Sequence, residues 1–241
     1  MLCQWEQLPP TMQIPEVRKY YDILKRKSCS LLCKRAFDIV VSFLLLIIFS
    51  PLFIILAIAI RFDSKGPVFY RQVRITQYGR PYRIFKFRTM VQDADKSSLL
   101  TMNNDCRVTR IGKLIRHCRL DEISQLLDVL RGTMTFVGTR PEVPKYVDQY
   151  TPEMLATLLL PAGVTSEACI VFKNEAEYLE AATDPDKAYV DVILPKKMTY
   201  NLQALTKFTL AYDIKIMLLT ACTAFGLKPK TTTPVIQTPS E

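Results

Sequence analysis

Two adjacent carboxylates, Asp121 and Glu122, stand in a stretch of the chain where most charged side chains are basic. Arg116 and Arg119 come just before them and Arg140 follows. A carboxylate at a helix start and flanked by guanidinium groups is held ionised where phosphates also collect. Such an oriented anion can attack phosphorus, and its neighbour can hold a Mg2+ ion that bridges a diphosphate and offsets developing charge. A structural reading is equally open on these residues. Asp121 suits a helix N-cap, and Glu122 in the first turn would complement the helix dipole.

The rest of the composition narrows the chemistry. A single histidine, His117, makes a His-ligated metal site or a Ser-His-Asp triad in one chain implausible. The seven cysteines are scattered and form no CxxC pair, which reads as reduced structural thiols; Cys29 and Cys33 lie beside a basic stretch where acylation is conceivable. A net charge of +9 calls for anionic partners, and most of the excess is local. Arg61 to Arg88 holds eight basic residues and one acid, and Arg107 to Arg119 five basic residues and none.

Several elements must position these groups. PVFYRQVRI and PYRIFKFRTM alternate apolar and basic residues around Gly79-Arg80-Pro81, which predicts a β-hairpin with basic side chains along one face. Ile111, Leu114, Ile115 and Cys118 keep helical spacing, as do Ile123, Leu126, Leu127 and Leu130 before Gly132, so two helices should meet at Leu120-Asp121-Glu122. Tyr200 to Phe225 repeats an apolar helical pattern too charged to cross a bilayer. From Lys228 the tail is rich in proline and threonine, which predicts disorder.

Ile39 to Ile60 is an uncharged apolar run of 22 residues that belongs in lipid, too deep in the chain and too poor in small residues after it for a removable signal peptide. A straight helix of that length would just cross a ~30 Å hydrocarbon core. Pro51 interrupts it, however, because it cannot donate to the Ile47 carbonyl, and basic residues flank both ends. The expectation is a helix-break-helix hairpin over 36–60 that re-enters the same leaflet, with the Ser50 hydroxyl capping a carbonyl freed at the Ser50-Pro51 break, and a kinked single span is the alternative. Upstream, Val17, Tyr20, Tyr21 and Leu24 line one side of a helix opened by Pro15, for which a membrane-interface position and packing on the protein are equally open. Interleaved aromatic and basic residues can also mark a nucleic-acid platform, but beside an apolar membrane element nucleic acid is not an expected partner.

LDEISQLLDVLRGTMTFVGTRPE resembles the LDE-x-x-QL-x-NVL-x-G-x-M-x-x-VG-x-RP signature of the bacterial sugar transferases, the monotopic phosphoglycosyl transferases. The likeness extends to Lys34-Arg35-x-x-Asp38, Ser50-Pro51, SKGPVFYRQ and KFRTM, over about residues 33 to 220. The resemblance implies that Asp121 is the nucleophile taking a phosphosugar from a UDP-sugar, with release of UMP, and that Glu122 is its magnesium-associated partner. It implies that Arg116 meets the phosphate of a polyprenyl acceptor and that Arg140, with Pro141, stands near the donor phosphates; Lys86 and Arg88 are further phosphate-binding candidates. Thr76, Thr133, Thr139 and Ser166 depart from the common pattern, as does an acidic stretch, NEAEYLEAATDPD.

The resulting expectation is an α/β membrane-associated protein with a re-entrant N-terminal helix-hairpin and a small cytoplasmic catalytic domain of amphipathic helices and a β-hairpin. Residues 1–33 form a basic amphipathic extension, 34–225 the transferase domain and 226–241 a disordered tail. It works at the cytoplasmic face of the cell membrane, with a UDP-sugar donor, a polyprenyl phosphate acceptor and anionic lipids as partners and Mg2+ as cofactor; the alternative reading is a catalytically silent membrane-surface protein that holds anionic lipids or a partner enzyme.

Overall fold

The computed structural model describes residues 2–91 and 106–224; the tail expected to be disordered lies outside the described residues. Helix α1 (Pro15–Arg26) starts on a proline, whose missing N–H costs nothing there, and ends on Lys25 and Arg26, which suit the negative helix end. Its apolar stripe, Val17, Tyr20, Tyr21 and Leu24, is buried among Leu8, Met12, Leu158, Leu159, Leu205 and Phe208. Of the two open readings, packing on the protein holds.

Helix α2 (Ser28–Asp63) contains the whole apolar run, with a window of mean hydropathy 3.1. The sequence predicts two helices separated at Ser50-Pro51; the structure has one helical element that continues through Pro51. The reason is local. Ser50 Oγ donates to the Ile47 carbonyl at 2.8 Å, so the acceptor that proline leaves open is satisfied without a break. Lys34, Asp38, Ser42, Leu56 and Ile60 are buried, whereas Val40, Phe43, Leu44, Ile47, Ile54, Ile55 and Ile58 are exposed. At 3.6 residues per turn the buried set keeps to one side on both sides of Pro51.

The predicted hairpin is present as two short antiparallel ladders. β1 (Phe69–Tyr70) pairs with β4 (Lys86–Phe87), and β2 (Val73–Ile75) pairs with β3 (Pro81–Arg83). Its tip turns at Tyr78 and Gly79, both with positive φ. Thr76, where the family pattern has glycine, donates its hydroxyl to the Thr133 carbonyl at 2.6 Å and accepts from the Ala162 amide at 3.2 Å. The departure therefore ties the hairpin to the next sheet. Among its basic residues, Arg71 lies over the Phe85 ring, as Arg131 does, and Arg74 donates to the Pro141 carbonyl at 3.0 Å.

Helix α3 (Arg110–His117) is followed by a 3-10 turn (Leu120–Gln125) and α4 (Leu126–Arg131), which ends at Gly132 in the left-handed conformation that glycine permits. Strand β5 (Met134–Val137) runs parallel to β6 (Ala162–Thr165). Between and after them lie α5 (Pro144–Val147), α6 (Glu167–Val171), α7 (Glu175–Glu180), α8 (Pro185–Ala188) and a π-helical turn (Tyr189–Ile193). The apolar C-terminal pattern resolves into α9 (Leu194–Lys207) and α10 (Leu210–Ala224). The described chain is thus mostly helical, with one long apolar helix and small two-stranded ladders.

The first half of α2 packs through Phe37, Val41, Leu45 and Phe49 on Leu126, Val129, Phe136 and Val137. The second half packs through Leu52, Phe53, Leu56 and Ile60 on Phe87 and Ile115. Lys34 donates to the Val137 carbonyl at 3.0 Å and pairs with Asp213 of α10, while Thr135 donates to Asp38 at 2.5 Å. One buried polar network therefore joins α2, β5 and α10.

Candidate active site

Asp121 and Glu122 sit in the 3-10 turn between α3 and α4, and Asp121 is only 5 % exposed. The N-cap reading of Asp121 does not hold. The cap position falls on Arg119, whose left-handed φ of 56° turns the chain out of α3, and Asp121 is already inside the turn. Its carboxylate instead faces Lys86, with Nζ 2.9 Å from Oδ2. The same ammonium lies 3.6 Å from Glu122 Oε1.

Lys86 is placed by backbone bonds to its predecessor. The Phe85 amide donates to Asp128 Oδ2 at 2.7 Å, and the Phe85 carbonyl accepts from Ser124 Oγ at 3.1 Å. Ser124 and Asp128 are four residues apart, one helical turn, and follow directly on the dyad, so the segment that carries the carboxylates also grips the strand that carries their cation. Thr133, where the family has an acid, donates to the Asp128 carbonyl at 3.1 Å and lies within 3.4 Å of its carboxylate. Burial pushes the Asp128 carboxyl up, against the Phe85 amide bond and nearby Arg71 and Arg131. Sequence reasoning missed Ser124 and Asp128. Their signal was a pair of polar residues at i and i+4 inside an apolar helical pattern.

Arg140 reaches the dyad from the other side. Its Nη2 pairs with Glu122 Oε1, and its Nη1 lies 3.4 Å from both Glu122 Oε2 and the Val164 carbonyl. The loop that carries it leaves β5 through Gly138, where a Cβ on the facing Gly163 would lie 2.2 Å from the Gly138 nitrogen. Two glycines therefore let the backbones approach, and the bond from the Gly163 amide to the Thr139 carbonyl at 2.8 Å fixes the register that presents Arg140. Burial alone would push the Glu122 carboxyl up; Arg140, Lys86 and the Arg140 hydrogen bond overcome it and hold the group well below the usual carboxylate range. Arg140 is correspondingly raised, chiefly by Glu122.

The other candidates stand apart from this cluster. Arg116 is half-buried in the last turn of α3 and makes no hydrogen bond or ion pair among the described residues, and Arg119 is exposed. Arg88 is buried and donates through Nη2 to the Ser64 carbonyl at 2.7 Å and to Ser64 Oγ at 2.9 Å. Ser50 and Pro51 belong to the long apolar helix α2 alone. Ser166, in place of a family glycine, caps α6 by accepting from the Cys169 amide at 3.2 Å.

Among the described residues, no group of three His, Cys, Asp or Glu side chains forms a metal cage. Magnesium does not need one, since it is commonly held by one or two carboxylates with water and substrate phosphates completing its shell. Asp121 and Glu122 fit that donor set, Glu122 Oε2, 3.4 Å from Arg140 Nη1, being the more loosely held of the two Glu122 oxygens.

The family described as bacterial sugar transferase matches this chain over residues 29–226. The UDP-glucose:undecaprenyl-phosphate glucose-1-phosphate transferase of Klebsiella pneumoniae is 35 % identical over 197 residues, 80 % of this chain and 40 % of that one. A UDP-N-acetylgalactosamine-undecaprenyl-phosphate N-acetylgalactosaminephosphotransferase of Aeromonas hydrophila is 32 % identical over 81 % of this chain and 45 % of its own length. A shorter relative from Caulobacter vibrioides, again a UDP-glucose:undecaprenyl-phosphate glucose-1-phosphate transferase, is 33 % identical, with 67 % of its length matched. The chain thus spans less than half the length of the first two.

Proposed function

The chain belongs to the bacterial sugar transferase family, and on that premise we propose that it moves a sugar 1-phosphate from a UDP-sugar to a polyprenyl phosphate of the undecaprenyl type, giving a polyprenyl-diphosphate sugar and UMP. The observation that carries this is the convergence of Lys86 and Arg140, from two distant segments, on the adjacent carboxylates of Asp121 and Glu122.

The reaction divides into two displacements at one phosphorus. An Asp121 oxygen bonds to the phosphorus that bears the sugar as the bond to the bridging oxygen breaks, and UMP leaves with that electron pair. A phosphate oxygen of the acceptor then bonds to the same phosphorus, and the Asp121 carboxylate is the leaving group. Lys86 orients Asp121 and stands where it meets the phosphoryl oxygens, while Arg140 fixes Glu122 and supplies fixed positive charge beside the donor diphosphate. A magnesium ion held by Glu122 and Asp121 would neutralise charge on that diphosphate. The product would be the first membrane-bound intermediate of a polysaccharide or glycoconjugate.

The same reading takes the protein as monotopic and cytoplasmic-facing. In its favour, one side of α2 rests on the catalytic body both before and after Pro51. A polar body that must stay in water cannot hold both halves of a helix of which one half has crossed to the far side. The exposed side of α2 meets lipid, and Arg61 and Lys65 at its exit suit anionic headgroups.

Exchange of labelled UMP into UDP-sugar without any lipid tests the covalent step. Wild type should exchange, and Asp121→Asn, which keeps the side chain's size but no charge, should fold and lose at least ~1000-fold. A folded Asp121→Asn protein that still exchanges would end the nucleophile assignment.

A further inference from the structure

Arg88 is 6 % exposed, yet its Nε and Nη1 have no hydrogen-bond partner among the described residues. Only Nη2 is used, on Ser64. A buried guanidinium with unmet donors is costly to keep, which makes it the kind of group that an anion completes. The acidic neighbour does not supply that anion. Asp63 Oδ2 accepts from the Ile111 amide at 3.1 Å, so its carboxylate caps the start of α3. Burial and the nearby positive charge of Arg61 both push the Arg88 pKa down, against Asp63, as expected of a cationic pocket short of negative charge.

Position says which anion. Ser64 is the C-cap of α2, two residues after the exposed Phe62, so Arg88 is bound to the exit of the long apolar helix. Arg88 also follows Lys86 by two residues in an extended segment, which puts their Cα atoms about 7 Å apart and their side chains on the same face. One end of that short stretch touches the nucleophile and the other touches the membrane exit.

We propose that Arg88, with Arg61 at its rim, is the subsite for the phosphate of the membrane-held acceptor, separate from the Lys86–Glu122–Arg140 cluster that takes the donor. The inference rests on the transfer reaction proposed above. A phosphomonoester whose chain stays in the bilayer enters between α2 and the β4 segment, is held by Nε and Nη1, and is thereby aimed along the strand at the phosphorus on Asp121.

The test uses the full-length protein in nanodiscs with Arg88→Met, which keeps much of the side chain's shape without charge or donors, and Arg88→Lys. UMP exchange without lipid, the apparent KM for polyprenyl phosphate, and unfolding temperature with no ligand, inorganic phosphate, polyprenol or polyprenyl phosphate are measured for each. Arg88→Met should raise the lipid KM ~10- to 100-fold, as loss of a charge-assisted contact does, and should cost UMP exchange much less. Without ligand it should be at least as stable as wild type, because an unmet buried charge has gone. Only polyprenyl phosphate should stabilise wild type, Arg88→Met should lose that response, and Arg88→Lys should recover part of it. Equal losses of exchange and lipid transfer would overturn the proposal, as would a large loss of ligand-free stability in Arg88→Met or equal protection of wild type by inorganic phosphate. Should wild type neither exchange nor transfer, the transferase reading fails, while polyprenyl phosphate protection lost in Arg88→Met would still support the subsite.

Discussion

Glu122 is the most strongly perturbed carboxylate of the site, and the cause is Arg140 acting against burial. Because its folded-state pKa is depressed, its contribution to stability is present at neutral pH, above the ordinary value of 4.5, and is lost only as pH falls towards the folded value. Exchange by wild type should accordingly show no acid limb from Glu122 between about pH 5 and 8. Arg140→Met removes the largest opposing charge and leaves burial, so the Glu122 carboxyl rises and an acid limb enters that range. An unchanged profile shape in Arg140→Met would refute the pairing. At this scale the sequence offered candidate residues but not their partners. Asp121, Glu122, Arg140 and Lys86 were all legible as candidates, and the structure brings the four together. That Lys86 is the central cation was not legible, because it depends on the Phe85 bonds to Ser124 and Asp128, 39 and 43 residues away in sequence.

Among the elements, α3 is held to the strand segment by an unusually close approach. A Cβ on Gly112 would lie 2.0 Å from the Thr89 carbonyl oxygen, a backbone atom that cannot swing aside. Gly112→Ala should therefore push α3 off the segment that begins at Lys86, destabilise the protein by about 2–4 kcal/mol through overpacking, and lower transfer even in the folded fraction. Thermal unfolding together with active-site titration checks this, and a variant of wild-type stability would contradict the packing. Periodicity gave the extents of α1, α3, α4 and the hairpin well. It failed at Asp121, where a left-handed Arg119 and a 3-10 turn replace a capped α-helix, and at Pro51, where a hydroxyl one residue away restores the missing bond. Both failures arise where a single side chain or dihedral outweighs a pattern of apolar spacing.

For the whole molecule, contact of both halves of α2 with one body fixes the topology to be tested. Cysteines introduced near residue 20 and near residue 174 of a cysteine-free variant, labelled with a membrane-impermeant maleimide in sealed inverted vesicles, should react from the same, cytoplasmic, side. Labelling of residue 20 only from the opposite side would sink the monotopic arrangement. The network of Lys34, Val137 and Asp213 has a further meaning when the chain is considered as it is made. Lys34 is made with α2, whereas its carboxylate partner lies 179 residues later. At ~5–20 residues per second the ribosome needs roughly 9–36 s to deliver it. For that interval the nascent helix carries an ammonium without its Asp213 counter-charge, and the β5 segment before Arg140 has no α10 to close on. A chain released before Asp213 would therefore carry Asp121 and Glu122 with the Lys34–Asp213 pair unmade and no α10 in the network that supports β5.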